Sequence, residues 1–516
     1  MTGTVFVSTT IPYVNARPHL GHAFEFVQAD ALALHAAQQG RQVLLTSGTD
    51  ENGLKNVQSA LDQELPTATL VARNAAEFAR LLVALDVPVD RFVRTSVDPG
   101  HRAGASEMWR LLAERGDIYS RTYDGQYCVG CEEFLASAEL ADGRCPIHRQ
   151  ELREVRERNY FFRLSRYQDA IMTALVSGEM RIWPEFRRNE MLGMLKAGLS
   201  DISVSRPADR AHGWGIPVPG DDGQVIYVWI DALTNYVNAL GWAGQNPDYR
   251  RYWHDASRRI HLLGKDVTRF HAIYWPAILL SANLPLPTDL VVHGHVTLSG
   301  QKLSKSLGTV VDPFDLVSRY GAEAVRFLLL AEFSPWSDSD FSHHRLVARY
   351  NTDLANGLGN LVDRVTGLLH RCRAGVVPEV GSRGPRELSL LDSCATASRE
   401  FRQALDQFDH RRAVAHLWRL VHKTNAYISQ REPWTVSSTV ELDTILHDLA
   451  GALRTVALLL GPILPTTATA MLSTLGMTTP EVGVDGLGEA RVWVPGVARS
   501  RVSRPPHLFP RLELTW

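Results

Sequence analysis

A strand, a helix and a second strand open this chain, and that order constrains the fold more than any other feature of the sequence. Thr4 to Ser8 is β-prone and leads into Thr9-Thr-Ile-Pro-Tyr13, a loop signal. From His19 to Gln39 the apolar residues Leu20, Phe24, Val27, Ala31 and Leu34 recur at helical spacing, and Gly40 stops the run. Val43-Leu-Leu45 then reads as a buried strand, followed by Ser47-Gly-Thr-Asp50. Such a βαβ unit predicts a parallel sheet with ligands bound in the loops after its strands. A second set follows far downstream, where His261-Leu-Leu-Gly264 and Leu290-Val-Val-His293 flank an apolar helix around Phe270 to Leu280.

The polar stretch between the two sets, residues 116–224, reads as an insertion into an α/β domain whose halves are 1–115 and 225–298. After about Phe341 strand signals stop, and Arg345 to Leu475 reads as long amphipathic helices interrupted near Val376 to Pro385. The segments expected here are a linking segment, 299–343, and a helical domain with a C-terminal tail, 344–516. A chain of 516 residues agrees with several units. With 45% hydrophobic and 21% charged residues it has the balance of a globular protein. No run of about 18 uncharged apolar residues exists, so no membrane span is expected. Met1-Thr-Gly-Thr-Val-Phe6 has no basic region or cleavage pattern, so no secretory signal is expected either.

The net charge of −2 is uninformative, but its distribution is not. Arg345 to Arg431 carries 14 Lys/Arg against 8 Asp/Glu, which suits either a solvated helical face or a nucleic-acid surface. Only six of the 54 basic residues are lysines, at 55, 196, 265, 302, 305 and 423. They mark places where a compact, flexible ammonium is preferred to a planar guanidinium. Of five cysteines, Cys128, Cys131 and Cys145 cluster, whereas Cys372 and Cys394 read as ordinary thiols. Cys128-Val-Gly-Cys131 and Cys145-Pro-Ile-His148 are separated by 13 residues. Two close pairs of soft ligands suit tetrahedral zinc with no open position, hence a structural site.

Two motifs suggest chemistry. His19-Leu-Gly-His22 opens the first helix, with two imidazoles on one face and Gly21 permitting close approach to the backbone. Alone, the pair suits phosphate, a metal half-site or neither. Gly300-Gln-Lys302-Leu-Ser304-Lys305-Ser-Leu-Gly308 follows a strand and carries two of the rare lysines. Mobile ammonium groups between glycines suit a polyphosphate whose charge grows in a transition state.

Together the two resemble the signature pair of class I aminoacyl-tRNA synthetases. Five further stretches resemble the methionyl-tRNA synthetase family: Thr10-Ile-Pro-Tyr13-Val-Asn15, Gly48-Thr-Asp50-Glu-Asn-Gly53, Asn159-Tyr-Phe-Phe-Arg-Leu-Ser165, Tyr227-Val-Trp229-Ile-Asp231-Ala232 and Gly264-Lys-Asp266. Leu508-Phe-Pro-Arg-Leu512 resembles the end of the family core. The resemblance covers essentially the whole chain. One departure is Leu303, where the family most often has Met, a swap of similar volume.

The resemblance implies a Rossmann-type, doubly wound catalytic domain with a zinc-bearing insertion, then an all-α anticodon-binding domain. It implies activation of L-methionine by ATP with Mg2+, and transfer to initiator and elongator methionine tRNA. His19, His22, Lys302 and Lys305 would be catalytic, with Gly21, Lys265, Asp266 and Ser304 completing the ATP site. Methionine would meet Ile11, Tyr13, Asp50, Trp229, Ala232, Leu233, Tyr236 and His271. Asp50 would take the ammonium, and the Tyr236 hydroxyl would donate to the sulfur. Asn360, Arg364, Pro433 and Trp434 would read the anticodon, Trp434 as a stacking platform. A zinc knuckle at Cys128, Cys131, Cys145 and His148 also fits the family. The chain stops at the core motif, so a cytoplasmic monomer is expected. The alternatives are a second, stress- or inhibitor-tolerant copy, or an adenylate-forming enzyme with another acceptor. Asn360, Arg364 and Trp434 argue against the latter, and His19, His22, Lys302 and Lys305 argue against a non-catalytic tRNA binder.

Overall fold

The computed structural model describes residues 3–128, 133–135, 140, 143–145, 151–298, 300–302, 311–477, 498–504 and 508–513. Its centre is a parallel sheet of six strands: β1 (Thr4–Ser8), β2 (Gln42–Thr49), β3 (Arg91–Arg94), β4 (Arg181–Trp183), β5 (Arg258–Gly264) and β6 (Asp289–His293). Their spatial order is β3-β2-β1-β5-β6-β4. The chain winds outward from β1 in both directions, so the ends of β1 and β5 open a crevice at the switch point. Val5, Phe6 and Val7 of β1 are at most 1% exposed, as a strand covered on both faces requires.

One strand came from an unexpected place. β4 lies inside the stretch read as an insertion, yet Ile182 pairs with Leu290 of β6 and closes the sheet edge. Three residues, Arg-Ile-Trp, are too short to show a period in sequence. Elsewhere that stretch holds the helices Gln168–Ser177 and Glu185–Ala197 and antiparallel sheets. In one, the strands run in the order Glu133–Leu135, Ile118–Cys128, Arg153–Phe162 and Ile202–Ser203.

Helix α1 (Leu20–Gln38) follows β1 and ends before Gly40, whose φ of 73° suits a glycine. It is buried nearly all round, including Glu25, Gln28 and Asp30, because the sheet covers one side and the helical domain the other. Arg326, fully buried, ties these units together. Its guanidinium lies 2.5 Å from Asp30 of α1 and donates to the carbonyls of Leu85, Asp86 and Ile463 (3.2 Å each). Burial pushes the Asp30 carboxyl up, against the pull of Arg326.

The helical domain comprises Asn360–Arg373, Pro385–Asp406, His410–Arg431, Thr439–Leu460 and Pro465–Thr474. Described residues near the C-terminus, 498–504 and 508–513, bond back to residues 351 and 375–377. Val502 N–H donates to the Gly375 carbonyl at 2.7 Å, and Leu512 exchanges two 2.9 Å bonds with the Asn351 amide.

Candidate active site

At the switch point lies a cavity of about 740 Å³. Its floor is the loop after β1, one wall is the start of α1, and the opposite wall is helix α2 (Val228–Asn238). All eight residues expected to meet methionine line it, as do His19, Gly21, His22 and Asp266.

The two histidines of the first motif cap their own helix. His19 Nδ1 accepts from the Gly21 N–H, and His22 Nδ1 accepts from the His19 N–H, both at 3.1 Å. Their rings stack with centroids 3.9 Å apart. Each Nδ1 is therefore an acceptor, which leaves Nε2–H as the donor of a neutral ring. Burial, then His19 and His293, hold His22 well below the usual histidine range. Both rings thus suit hydrogen bonding to an anion without competing charge. Gly21 is required locally, since a Cβ there would come within 2.9 Å of the His19 ring.

The α2 end of the cavity is a packed aromatic wall. Trp229 stacks on Phe270 at 3.6 Å, and Tyr13 meets Trp229 edge-on at 6.4 Å. Tyr236 and His271 are 1% and 2% exposed, with the hydroxyl 2.7 Å from Nε2. His271 Nδ1 lies 2.9 Å from the Val267 carbonyl, so Nδ1 carries the proton. Burial lowers the His271 pKa to about 4, and the neutral ring must accept at Nε2. The Tyr236 hydroxyl hydrogen therefore goes to His271.

Asp50 directly follows β2 at 2% exposure, and its backbone bridges to Tyr13. Asp231, fully buried on α2, accepts from Asn52 Nδ2 at 2.7 Å and from His101 Nε2. That carboxylate fixes α2 against the loop that carries Asp50.

Several lining residues were missed. Glu25 Oε1 accepts from the Thr10 N–H and hydroxyl at 2.6 Å each, and Oε2 lies 2.9 Å from His293 Nε2. The available signal was a carboxylate between Phe24 and Phe26 in an apolar run. Lys265 points away from the chamber's lining. Its ammonium lies 2.8 Å from both Asp338 oxygens, while Asp266 pairs with His295 at 3.0 Å. Gly294 makes this contact possible, because a Cβ there would come within 2.2 Å of the Ser337 backbone. Lys302 sits in a two-residue strand paired with Thr297, and Ser304 and Lys305 lie outside the described residues.

Cys128 and Cys145 are both buried and form a small cluster of their own beside Leu140 and Leu152. Cys131 and His148 lie outside the described residues, and among the described ones no group of three or more ligands is assembled. Two thiols buried together, apart from the main cores, fit half of a tetrahedral zinc site.

On the helical domain, Asn360 and Arg364 face the helix His410–Arg431. Arg364 Nη1 lies 3.3 Å from both Asn425 oxygens, and Nη2 lies 3.1 Å from Ser429 Oγ. Beyond that helix, Pro433 is buried and Trp434 is 59% exposed.

The comparisons agree with one another. The family described as "tRNA synthetases class I (M)" matches residues 5–156 and 137–366, and "Anticodon binding domain of methionyl tRNA ligase" matches 377–509. The methionine–tRNA ligase of Caldanaerobacter subterraneus is 37% identical over all of this chain and 80% of its own length. That of Brucella suis is 38% identical over 92% of each. The solved Mycobacterium tuberculosis methionyl-tRNA synthetase in complex with methionyl-adenylate superposes with a TM-score of 0.92. It is 36% identical and covers 99% of this chain and 100% of its own. Its free-state structure superposes at 0.86. Full-length matches to catalytic and anticodon units in the same order leave one assignment: the chain belongs to the methionyl-tRNA synthetase family of class I aminoacyl-tRNA ligases.

Proposed function

We propose that the 740 Å³ chamber joins L-methionine to ATP and then hands the aminoacyl group to methionine tRNA. The observation carrying this is that neutral Nε2–H donors and a tight aromatic wall with a buried carboxylate occupy opposite ends of one cavity. Asp50 takes the substrate ammonium. Trp229, Tyr13, Ile11, Ala232 and Leu233 enclose the thioether, with a sulfur–aromatic gain of about 0.3–1.5 kcal/mol. Tyr236 and His271 act as one hydrogen-bonded unit behind it. His19 and His22 donate to the phosphates, beside Gly21 and Asp266.

No general base is needed. The methionine carboxylate attacks the α-phosphorus, the bond to the β-phosphate oxygen breaks, and pyrophosphate leaves. The work is therefore positioning and charge stabilisation. Lys302, Lys305 and Ser304 supply charge and a hydroxyl to the leaving group, and Lys265 joins them on exchanging Asp338 for phosphate. ATP arrives with Mg2+. A ribose hydroxyl of the tRNA's 3′-terminal adenosine then attacks the adenylate carbonyl and AMP departs. Asn360, Arg364, Pro433 and Trp434 read the anticodon of initiator and elongator tRNA, the exposed indole stacking on an unpaired base. Zinc on Cys128, Cys131, Cys145 and His148 constrains the insertion and takes no part in the reaction. The insertion, 116–224, the linking segment, 299–343, and the helical domain, 344–516, follow the same assignment. We place the enzyme in the cytoplasm as a monomer; no helix among the described residues is long and apolar enough to cross a membrane.

The test is methionine-dependent ATP–pyrophosphate exchange beside tRNA charging, on protein assayed for one zinc per chain by atomic absorption. Exchange with charging is expected. Exchange without charging would move the acceptor elsewhere, and no exchange from folded protein would overturn the reading.

A further inference from the structure

The residues just ahead of His19 border a second cavity. It measures about 410 Å³ and lies between the loop at 15–17 and the helix Thr67–Ala84. Three guanidinium groups, Arg17, Arg73 and Arg80, line it with a single carboxylate, Glu77. Asn15, Ala16 and Arg17 line both this groove and the main chamber, so the two share a rim.

The charge in the groove is under-neutralised. Glu77 is divided between Arg17 at 3.1 Å and Arg80 at 2.6 Å. Arg73 donates to the amide oxygens of Asn74 (3.2 Å) and Gln63 (2.8 Å), and has no carboxylate partner among the described residues. Arg17 also lies 3.7 Å from Asp312, the N-cap of the helix that follows the lysine loop. Arg17 and Arg80 both sit over the Phe314 ring of that helix, at 5.8 and 5.3 Å, which keeps their planar forks oriented. Arg17 and Arg80 are 51% and 66% exposed, so their ion pairs are weak and readily exchanged.

We propose that this groove is an anion subsite for inorganic pyrophosphate, the leaving group of the first step, on its way out of the chamber. The proposal rests on the adenylation reading above. Three arginines against Glu77 in the groove and Asp312 beside Arg17 leave a net positive charge that suits a small, multiply charged anion, and guanidinium–phosphate bonds are charge-assisted and frequently bidentate. The position agrees, because residues 15–17, just ahead of His19, line both the groove and the chamber, and Arg17 reaches Asp312 at the N-cap of the helix after the lysine loop. By microscopic reversibility the groove also admits pyrophosphate in the exchange reaction.

The experiment compares wild type, the double variant Arg73→Ala/Arg80→Ala, and Glu77→Gln. In exchange assays the double variant should raise KM for pyrophosphate by about tenfold, the scale of one charge-assisted bond. KM for methionine should stay unchanged. Glu77→Gln should lower KM for pyrophosphate by about two- to threefold, because it frees Arg80 and leaves Arg17 with Asp312 alone. A structural role would instead shift both variants the same way, together with their melting temperatures, and would overturn the proposal. So would an unchanged KM for pyrophosphate, or a rise confined to KM for tRNA, which would assign the groove to the RNA 3′ end. Calorimetric titration of the three proteins with pyrophosphate reads the groove even where wild type shows no exchange. Equal affinities there would sink the subsite on its own account.

Discussion

The two ends of the chamber are built on different principles. At the α2 end, Leu233, Tyr236 and His271 are 2% exposed or less, and the Tyr236–His271–Val267 chain is satisfied within the protein. At the α1 end the fixed donors are the neutral rings of His19 and His22, and the cations stand off, held by carboxylates at partly exposed positions. Lys265 is on Asp338, and Arg17 is on Glu77 and Asp312. A pocket that must select an uncharged side chain is finished when the protein folds. A site that must meet growing negative charge keeps its cations on partners that can be exchanged.

The largest test of this contrast is Asp50→Asn. Asp50 is the proposed partner of the substrate ammonium at the aromatic end, so its loss should lower kcat/KM for methionine in exchange by about two to three orders of magnitude. KM for ATP should hardly move. A loss below tenfold, or one confined to ATP, would mean that the ammonium is held elsewhere and that the α2 end selects by shape alone.

Much of this was legible in sequence, and unevenly so. Strands β1, β2, β5 and β6 and helix α1 showed themselves because short buried apolar runs and a 3.6-residue period are local signals. β4 was not legible, since three residues carry no period. Individual lining residues were found where the motif itself marked them. What sequence could not give was who holds whom. Glu25 binding Thr10, Lys265 facing Asp338 and Tyr236 donating to His271 join residues 15, 73 and 35 positions apart. Such pairings exist only once the sheet has brought the loops together.

A second test uses pH. Burial lowers His271 to about 4 from an ordinary 6.5, and lowers His22 and His261 as well. Each binds its proton less tightly when folded, so unfolding takes up protons. Their stabilisation is complete above pH 6.5 and is lost as pH falls below it, for His271 on the way to its folded value of about 4. For His271 the loss by pH 5 is about 2 kcal/mol. Urea denaturation at pH 7 and pH 5 should show a lower midpoint at pH 5, and His271→Gln should shrink that difference by its own share. An unchanged slope in the variant would mean that the ring at the α2 end is not the neutral acceptor derived above. Added salt, by contrast, should act on the exposed ion pairs at the α1 end and leave this slope alone.

The smallest and sharpest effect is expected from Tyr236→Phe. The hydroxyl donates to His271 Nε2, so removing it leaves a buried acceptor unpaired, at a cost of about 1–3 kcal/mol in stability. If the hydroxyl acts only through His271, KM for methionine should rise by about threefold or less, and in a His271→Gln background the same substitution should add little, because the two residues form one unit. If it instead contacts the sulfur, the effect on KM should persist in full without His271, and discrimination against the isosteric hydrocarbon norleucine should fall in both backgrounds. The double-mutant cycle therefore separates an α2 end that recognises its ligand by a polar contact from one that does so by the shape of a wall the tyrosine and histidine hold in place.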